Sequence, residues 1–414
     1  MALALNHNPP TIMHVDLNSC FATIEQQANP LLRGKPMVVA AYDSPKGCVV
    51  APSIEAKQYG IKTGMAVWEA RLLYPKVIVR TPDPEKYRAV HLMFRRIFRD
   101  YSPDVTPKSI DEAVIDLTKT LTLFKGGIRD IGTEIKKRFR EEIGEWMRCS
   151  IGVSTNRFLA KLAASLHKPD GLDIIDHTNV LDVYRRVKLL DLNGINTRYQ
   201  ARLNAYGIFT PMEFYEASLE KLKMQVFKSI LGYYWYLRLR GWEIDAVDFK
   251  RKSYSHTYAL QHQTNDPREL AKLLMKLCEK VGRRLRRAGK SAKGVYVSCL
   301  YTDFSHWHIG RKLDLPIFTT RDIYIKALRF LNSSGYKKPV RNLAAGVYNL
   351  IPGTDEQLEL FAAPMKQVTE AMDEINDTWG EFVITPALMM GMDDIILDRI
   401  AFGGVAELEE IYEE

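Results

Sequence analysis

Three carboxylates offer this chain its most definite chemistry. Asp16 lies near the end of an apolar run, Thr11-Ile12-Met13-His14-Val15-Asp16-Leu17, that reads as a β-strand. Asp111 and Glu112 sit in Ser109-Ile110-Asp111-Glu112-Ala113, after Pro107 and just ahead of a second apolar strand, Val114–Leu117. Adjacent residues on a regular strand face opposite ways, so Asp111 and Glu112 can act together only if the chain turns there. Carboxylates gathered in one place repel one another unless cations neutralise them. Hard oxygen ligands suit Mg²⁺, which keeps part of its water and also takes phosphate oxygens. Two such ions about 3.5–4 Å apart form the arrangement for in-line displacement at phosphorus. On spacing alone a second reading stands beside this one. Acidic residues are common at strand ends, and all three could be solvated loop carboxylates.

The elements that must position these groups alternate between strand and helix. A helix runs from Asn18-Ser19, possible caps, to about Ala28. Met37–Ala41 and Cys48–Ala51 read as a hairpin, followed by short helices near Ile54–Tyr59 and Val67–Leu73 and a strand at Val77–Arg80. The periodicity of Pro84–Tyr101 predicts a helix that Pro103 and Pro107 break. A helix at Ile128–Ile143, a strand at Cys149–Val153 and a helix at Arg157–Leu166 complete a mixed sheet with helical cover. Past Lys168-Pro169-Asp170-Gly171 the segment Val180–Arg240 is all-helical, and Glu243–Lys252 is a polar linker. Ser253–Pro352 shows the order β-α-β-β-α-β, with helices at Pro267–Arg287 and Thr320–Leu331, the ferredoxin-like pattern. The fold class is therefore α+β and multidomain, as 414 residues at roughly 150 per domain also suggest.

Charge is unevenly spread. The net +8 divides into −14 from Thr354 onward, where 16 acidic residues face two basic ones, and +22 over the first 353 residues. A basic body of that size points to a polyanionic partner, and the acidic tail to a different task. The five cysteines form no C-x-x-C pair, which argues against a zinc ribbon or disulfide scaffold and fits a reducing cytoplasm. The N-terminus carries no signal-peptide pattern, and no apolar stretch approaches a membrane span. A cytoplasmic protein, a monomer with no membrane association, is the expectation.

His14-Val15-Asp16-Leu17-Asn18-Ser19-Cys20-Phe21-Ala22, together with Ser109–Leu117, resembles the Y-family of translesion DNA polymerases, the DinB/UmuC type. The resemblance continues through Ile151–Ala163 and Lys168-Pro169-Asp170-Gly171, in the family's order. It implies a right-hand polymerase. Residues 11–19 and 84–168 would form a ferredoxin-like palm, 20–83 small fingers and 169–242 a helix–hairpin–helix thumb. Residues 243–252 would be the linker, 253–352 a ferredoxin-like little finger and 353–414 the acidic tail. Asp16, Asp111 and Glu112 would bind two Mg²⁺, with the Leu17 carbonyl as an added ligand, on a chain that works on primer–template DNA and dNTP.

Phe21, five residues after Asp16, matches the family's steric gate, a ring that leaves no room for a 2′-hydroxyl. Lys161 matches the lysine that reaches the incoming triphosphate. The finger segment departs from the N-Y-E-A-R of many relatives, reading Ser53-Ile54-Glu55-Ala56-Lys57. Ile54 has no hydroxyl for phosphate, and Lys57 brings a point charge in place of a bidentate fork. Leu192–Asn196 resembles the turn of a helix–hairpin–helix thumb, in which Gly194 and Asn196 would aim N–H groups at a DNA phosphate, Asn196 standing where a second glycine is usual and able to adopt a left-handed conformation; a plain helix–turn–helix packing corner is the other reading. Lys280–Lys290 spreads its cations over more than one helix face, so they cannot all touch one duplex; the little finger would use some on phosphates. Gln357, Leu358, Leu360 and Phe361, in Q-L-E-L-F, resemble the peptide that binds the beta subunit of the bacterial sliding clamp, held clear of the body by a flexible acidic setting. Against the polymerase stand a catalytically silent clamp-associated accessory protein, which would not need all three carboxylates, and a two-metal nuclease or cyclase.

Overall fold

The structure is a computed structural model that describes residues 3–247, 251–353, 363–380, 382–392 and 395–396. These fall into two compact units, Met1–Val247 and Asp248–Asp398. In chain order the first unit has β1 (Ile12–Leu17), α1 (Cys20–Ala28), β2 (Met37–Ala40), β3 (Val49–Pro52), α2 (Ile54–Gln58), α3 (Val67–Leu73), β4 (Ile78–Arg80) and α4 (Pro84–Arg99). It continues with β5 (Val105–Pro107), β6 (Glu112–Asp116), α5 (Ile128–Arg138), β7 (Cys149–Ser154), α6 (Arg157–Leu166) and β8 (Leu172–Ile174), then the helices α7 (Val180–Arg186), α8 (Thr197–Asn204), α9 (Pro211–Glu216) and α10 (Leu231–Arg238).

The main sheet has the order β5-β6-β1-β7-β8, with β1 at its centre and antiparallel to both neighbours. Side chains of β1 alternate between two buried faces. Met13, Val15 and Leu17 enter the principal core with Phe94, Ile97 and Phe98 of α4 and Ile131 and Ile135 of α5. Ile12, His14 and Asp16 face the other way, where Ile12 packs with Val114 and with Ala160 of α6. Helix α4 starts at Asp83, whose side chain caps the Lys86 N–H, and buries Tyr87, His91, Phe94 and Phe98 at helical spacing. A smaller sheet, β3-β2-β4, contains the expected hairpin, and α7–α10 build a separate core around Tyr184, Phe214 and Trp235.

Both edges of the main sheet escape the sequence reading. β5 carries Pro107, whose missing N–H is tolerated because the strand lies at the edge. β8 is only three residues long and pairs parallel with β7, so the sheet takes up Leu172–Ile174 just ahead of the helical segment. Ser19 does not cap α1 through its side chain; it is left-handed (φ 51°), and its carbonyl accepts the Thr23 N–H. Asn196 is extended (φ −99°) rather than left-handed and caps α8 by accepting the Tyr199 N–H, while Gly194 takes the positive φ of 93°.

The second unit has β9 (Ser253–Thr264), α11 (Pro267–Arg287), β10 (Lys290–Tyr301), β11 (His306–Ile317), α12 (Thr320–Asn332), β12 (Val340–Tyr348), β13 (Leu350–Pro352) and α13 (Ala363–Trp379). Its sheet order is β11-β10-β12-β9. β12 is antiparallel to β9 and β10, so these two run the same way on either side of it, a split β-α-β arrangement. The acidic tail is not wholly separate from this unit. Met389, Met392 and Ile396 are buried in its core, and α13 is bonded to α11. Among the described residues no helix is long and apolar enough to cross a membrane.

Gly152 lets α6 lie directly on β7. A Cβ there would stand 2.1 Å from the Ala160 carbonyl oxygen and from the Ala164 nitrogen. Gly152→Ala should therefore cost about 1–3 kcal/mol or more and lower the melting temperature by several degrees. An unchanged thermal melt would show that α6 is free to move away from the sheet.

Candidate active site

The centre of the sheet brings the three carboxylates together. Asp16 on β1 pairs in register with Glu112, the first residue of β6, so both point to the α6 side. Asp111 lies in the bend just before β6, its carboxylate accepting the Ser109 hydroxyl at 2.6 Å and its carbonyl accepting the Leu17 N–H at 2.9 Å. The bend is braced from behind by His91 of α4, whose Nδ1 lies 2.9 Å from the Ile110 carbonyl. Burial pushes that imidazole down to about 4, so it is neutral and its Nδ1–H donates to the carbonyl. Asp111 is not bound by the strand alternation because β6 begins only at Glu112, and it lies near enough for the Glu112 charge to act on it. Ligand atoms of His14, Asp16 and Glu112 lie within 4.8 Å of one another.

Two lysines neutralise this charge. Lys161 of α6 donates to Glu112 Oε2 at 2.6 Å, and Lys168, after α6, meets Asp16 Oδ1 at 2.6 Å. Asn18 holds the Lys168 turn against β1: its Oδ1 accepts the Asp170 N–H at 2.7 Å, and its Nδ2 donates to the Ser150 hydroxyl. Burial raises Asp16 to about 6, an effect that Lys168 only partly offsets. Asp111 is raised by burial against the Ser109 hydrogen bond. Burial acts the same way on Glu112, but there Lys161 prevails and the carboxyl sits below its ordinary value. His14, 2% exposed, is pushed down to about 3 by burial, and its Nε2 stands 3.6 Å from Glu112.

A cavity of about 540 Å³ opens beside the cluster, lined by Asp16, Asp111, Phe21, Ile54, Lys57 and Lys168 among others. Phe21 is fully buried, its ring stacked on Tyr87 with centroids 4.4 Å apart, and the Tyr87 hydroxyl donates to Glu25. Lys57 of α2 has its ammonium pKa lowered by burial and by the Lys168 charge.

Residues 15–165 match the impB/mucB/samB family, and residues 251–360 match the C-terminal domain of that family. DNA polymerase IV of Pelotomaculum thermopropionicum is 32% identical over 406 residues, covering 96% of this chain and 98% of the relative. DNA polymerase IV of Moorella thermoacetica is 34% identical over 391 residues, covering 92% and 96%. The chain belongs to the Y-family DNA polymerases of the DNA polymerase IV type. Its fold is that of a Y-family polymerase chimera of Dbh and Dpo4, with a TM-score of 0.73 at 24% identity over 82% of this chain and 99% of that one. It is a DNA-directed DNA polymerase of the translesion class.

Among the residues expected from sequence, Asp16, Leu17, Asp111, Phe21 and Lys57 line one cavity of the polymerase, and Glu112 adjoins Asp16. Lys161 is not in that lining; it is spent on Glu112. Lys168, passed over in the sequence, is in it. The available signal was a lysine in a proline–glycine turn directly after α6. Asn18 was read in the sequence only as a possible helix cap, and His91 only as part of a helix; their holds on the Asp170 N–H and the Ile110 carbonyl join residues that are not neighbours in the chain. Gly194 and Asn196 belong to the helical segment and do not line the cavity. Gln357, Leu358, Leu360 and Phe361 lie outside the described residues.

A carboxyl raised by folding opposes folding at every pH above its unfolded value, fully so above its folded one. For Asp16 the penalty is complete above about pH 6 and fades as the pH falls toward the ordinary value of 3.8. Asp16→Asn should thus stabilise the metal-free polymerase at neutral pH by about 3 kcal/mol. The gain should shrink on acidification, as followed by thermal melts over a pH series; a gain independent of pH would contradict the assignment.

Proposed function

We propose that Asp16, Asp111 and Glu112, with the Leu17 carbonyl, hold two Mg²⁺ ions in a polymerase that adds dNTP to a primer 3′-hydroxyl. The observation that carries this reading is that Asp16 and Asp111 line one cavity that also presents two lysines, with Glu112 paired in register beside Asp16. The donors are oxygens, and lysine ammonium groups already sit against Asp16 and Glu112, so the cluster is built to be neutralised by cations. When bound, the ions supply charge stabilisation to the phosphate undergoing in-line displacement. In that reaction the primer oxygen bonds to the α-phosphorus and pyrophosphate leaves.

The protein's own groups do the rest. Lys57 and Lys168 flank the cavity and would take the β- and γ-phosphates, with Ile54 supplying only apolar wall where relatives offer a tyrosine hydroxyl. Lys161 would orient Glu112 rather than touch the nucleotide. Phe21, fixed from behind by Tyr87, would exclude a 2′-hydroxyl by overlap. The basic body would bind the primer–template backbone without sequence preference, aided by the Gly194–Asn196 turn. The Q-L-E-L-F peptide would bind the sliding clamp.

Asp111→Ala or Glu112→Ala should reduce single-nucleotide insertion by about 10²–10³-fold or more while leaving primer–template affinity nearly unchanged. Extension and binding measured on one substrate check both halves. Near-normal insertion by either variant would remove these residues from the chemistry.

Phe21→Ala should raise ribonucleotide insertion relative to deoxyribonucleotide insertion by an amount of order 10²-fold. Matched pairs of dNTP and rNTP read the ratio directly. If it stays constant, Phe21 serves only to pack against Tyr87.

A further inference from the structure

The long helix of the second unit carries Lys276, Lys280, Arg283 and Arg287 at spacings of four, three and four residues, one stripe along one face, with Arg286 beside it. Cations so arranged on a helix ordinarily stand in water. Here Lys276, Lys280, Arg283 and Arg286 are only 3–8% exposed. What covers them is α13 together with the described residues 382–392 and 395–396. Asp373 accepts Arg286 through Nε and Nη2, and Asp377, one turn further along α13, accepts Arg283 at 2.6 Å and Arg287 at 2.7 Å. The Phe382 ring lies 5.0 Å from Lys276 Nζ, 5.5 Å from Lys280 Nζ and 6.0 Å from the Arg283 guanidinium carbon. Lys276 also donates to the Met392 carbonyl, while Met389, Met392 and Ile396 anchor the cover in the apolar core.

Cations taken out of water must be matched by acceptors, or the fold would not tolerate them. The match chosen here is chemically that of a nucleic-acid backbone. Guanidinium forks bind carboxylate and phosphate alike, and two carboxylates one helical turn apart present successive anions to three arginines. The cover is also under local strain, because Phe382 holds φ at 70°, a conformation costly for a bulky side chain and kept only by its contacts. We propose that this stripe of α11 is a phosphate-backbone-binding surface occupied in cis by the acidic segment 363–396. The segment keeps duplex DNA off the helical face of the second unit.

The test compares the full chain, Asp373→Asn/Asp377→Asn, a chain ending at Gly353, and Glu370→Gln/Glu374→Gln. The last removes the same charge from α13 at exposed positions that bear none of these arginine contacts. Affinity for a fluorescent duplex is measured over a salt series. Freeing three arginines should steepen the plot of log K against log salt by about 2–3, at roughly 0.9 per phosphate contact, and tighten binding at low salt. This should hold for the Asp double variant and the truncated chain, while the Glu control keeps the parent slope and all four retain the parent rate of single-nucleotide insertion at saturating DNA. Parent-like slopes in the Asp variant would overturn the proposal, as would an equal change in the Glu control. If the truncated chain fails to fold, the Asp variant, which keeps Met389, Met392 and Ile396, decides alone; a lower melting temperature with an unchanged slope would make the segment a structural strut only.

Discussion

Mutual repulsion among Asp16, Asp111 and Glu112 is the constraint to which the first unit is built. Placing carboxylates near the middle of a sheet, between a core and a covering helix, costs each of them hydration. The raised Asp16 and Asp111 carboxyls record that cost. The chain meets it with ammonium groups delivered by one element. Helix α6 carries Lys161 to Glu112, and the turn that follows it carries Lys168 to Asp16. This is why α6 must sit so low on the sheet, and why the residue beneath it is Gly152. The geometry of an active site here depends on the absence of a single methyl group on a neighbouring strand.

The second unit meets the same electrostatic problem with the opposite sign. A row of cations on α11 loses its water and finds carboxylates, an aromatic face and a backbone carbonyl instead. In both units the charges are held in low-dielectric surroundings, where pairing is strong and an unpaired partner is expensive. The two clusters differ in what can displace the internal partner. Cations of higher charge can compete with a lysine for a carboxylate; a phosphate backbone can compete with an aspartate for an arginine.

Most of the architecture was legible because it follows from short-range pattern. The apolar alternation of β1, the helical spacing of Tyr87, His91, Phe94 and Phe98, and the β-α-β-β-α-β order each leave a local trace. The edge strands β5 and β8 leave little, being three residues each and shaped by their neighbours. The carboxylates were legible by type, and the family resemblance supplied the role proposed for them. The partition of the lysines was not, since whether Lys161 or Lys168 meets the cavity depends on where α6 ends and how Asn18 grips the turn beyond it. Composition also hid the C-terminal segment. A net charge of −14 describes the tail as a whole, whereas Asp373 and Asp377 act singly and the apolar Met389, Met392 and Ile396 fix the place.

The departures in the finger segment fit this redistribution. With Ile54 in place of a hydroxyl and Lys57 in place of a guanidinium, α2 brings one point charge to the cavity and no directional donor. Burial further weakens the hold of that ammonium on its proton. A triphosphate needs more positive charge than one lysine supplies, and the remaining cation in the lining is Lys168. Lys168 is also the counter-charge of Asp16, so the same ammonium faces the carboxylate proposed to bind metal and the cavity proposed for the nucleotide. Binding of cations at the carboxylates would release Lys168 from Asp16 as the phosphates arrive, coupling the two events through one side chain. The second positive charge of the cavity thus comes not from α2 but from the turn after α6, whose position Asn18 sets.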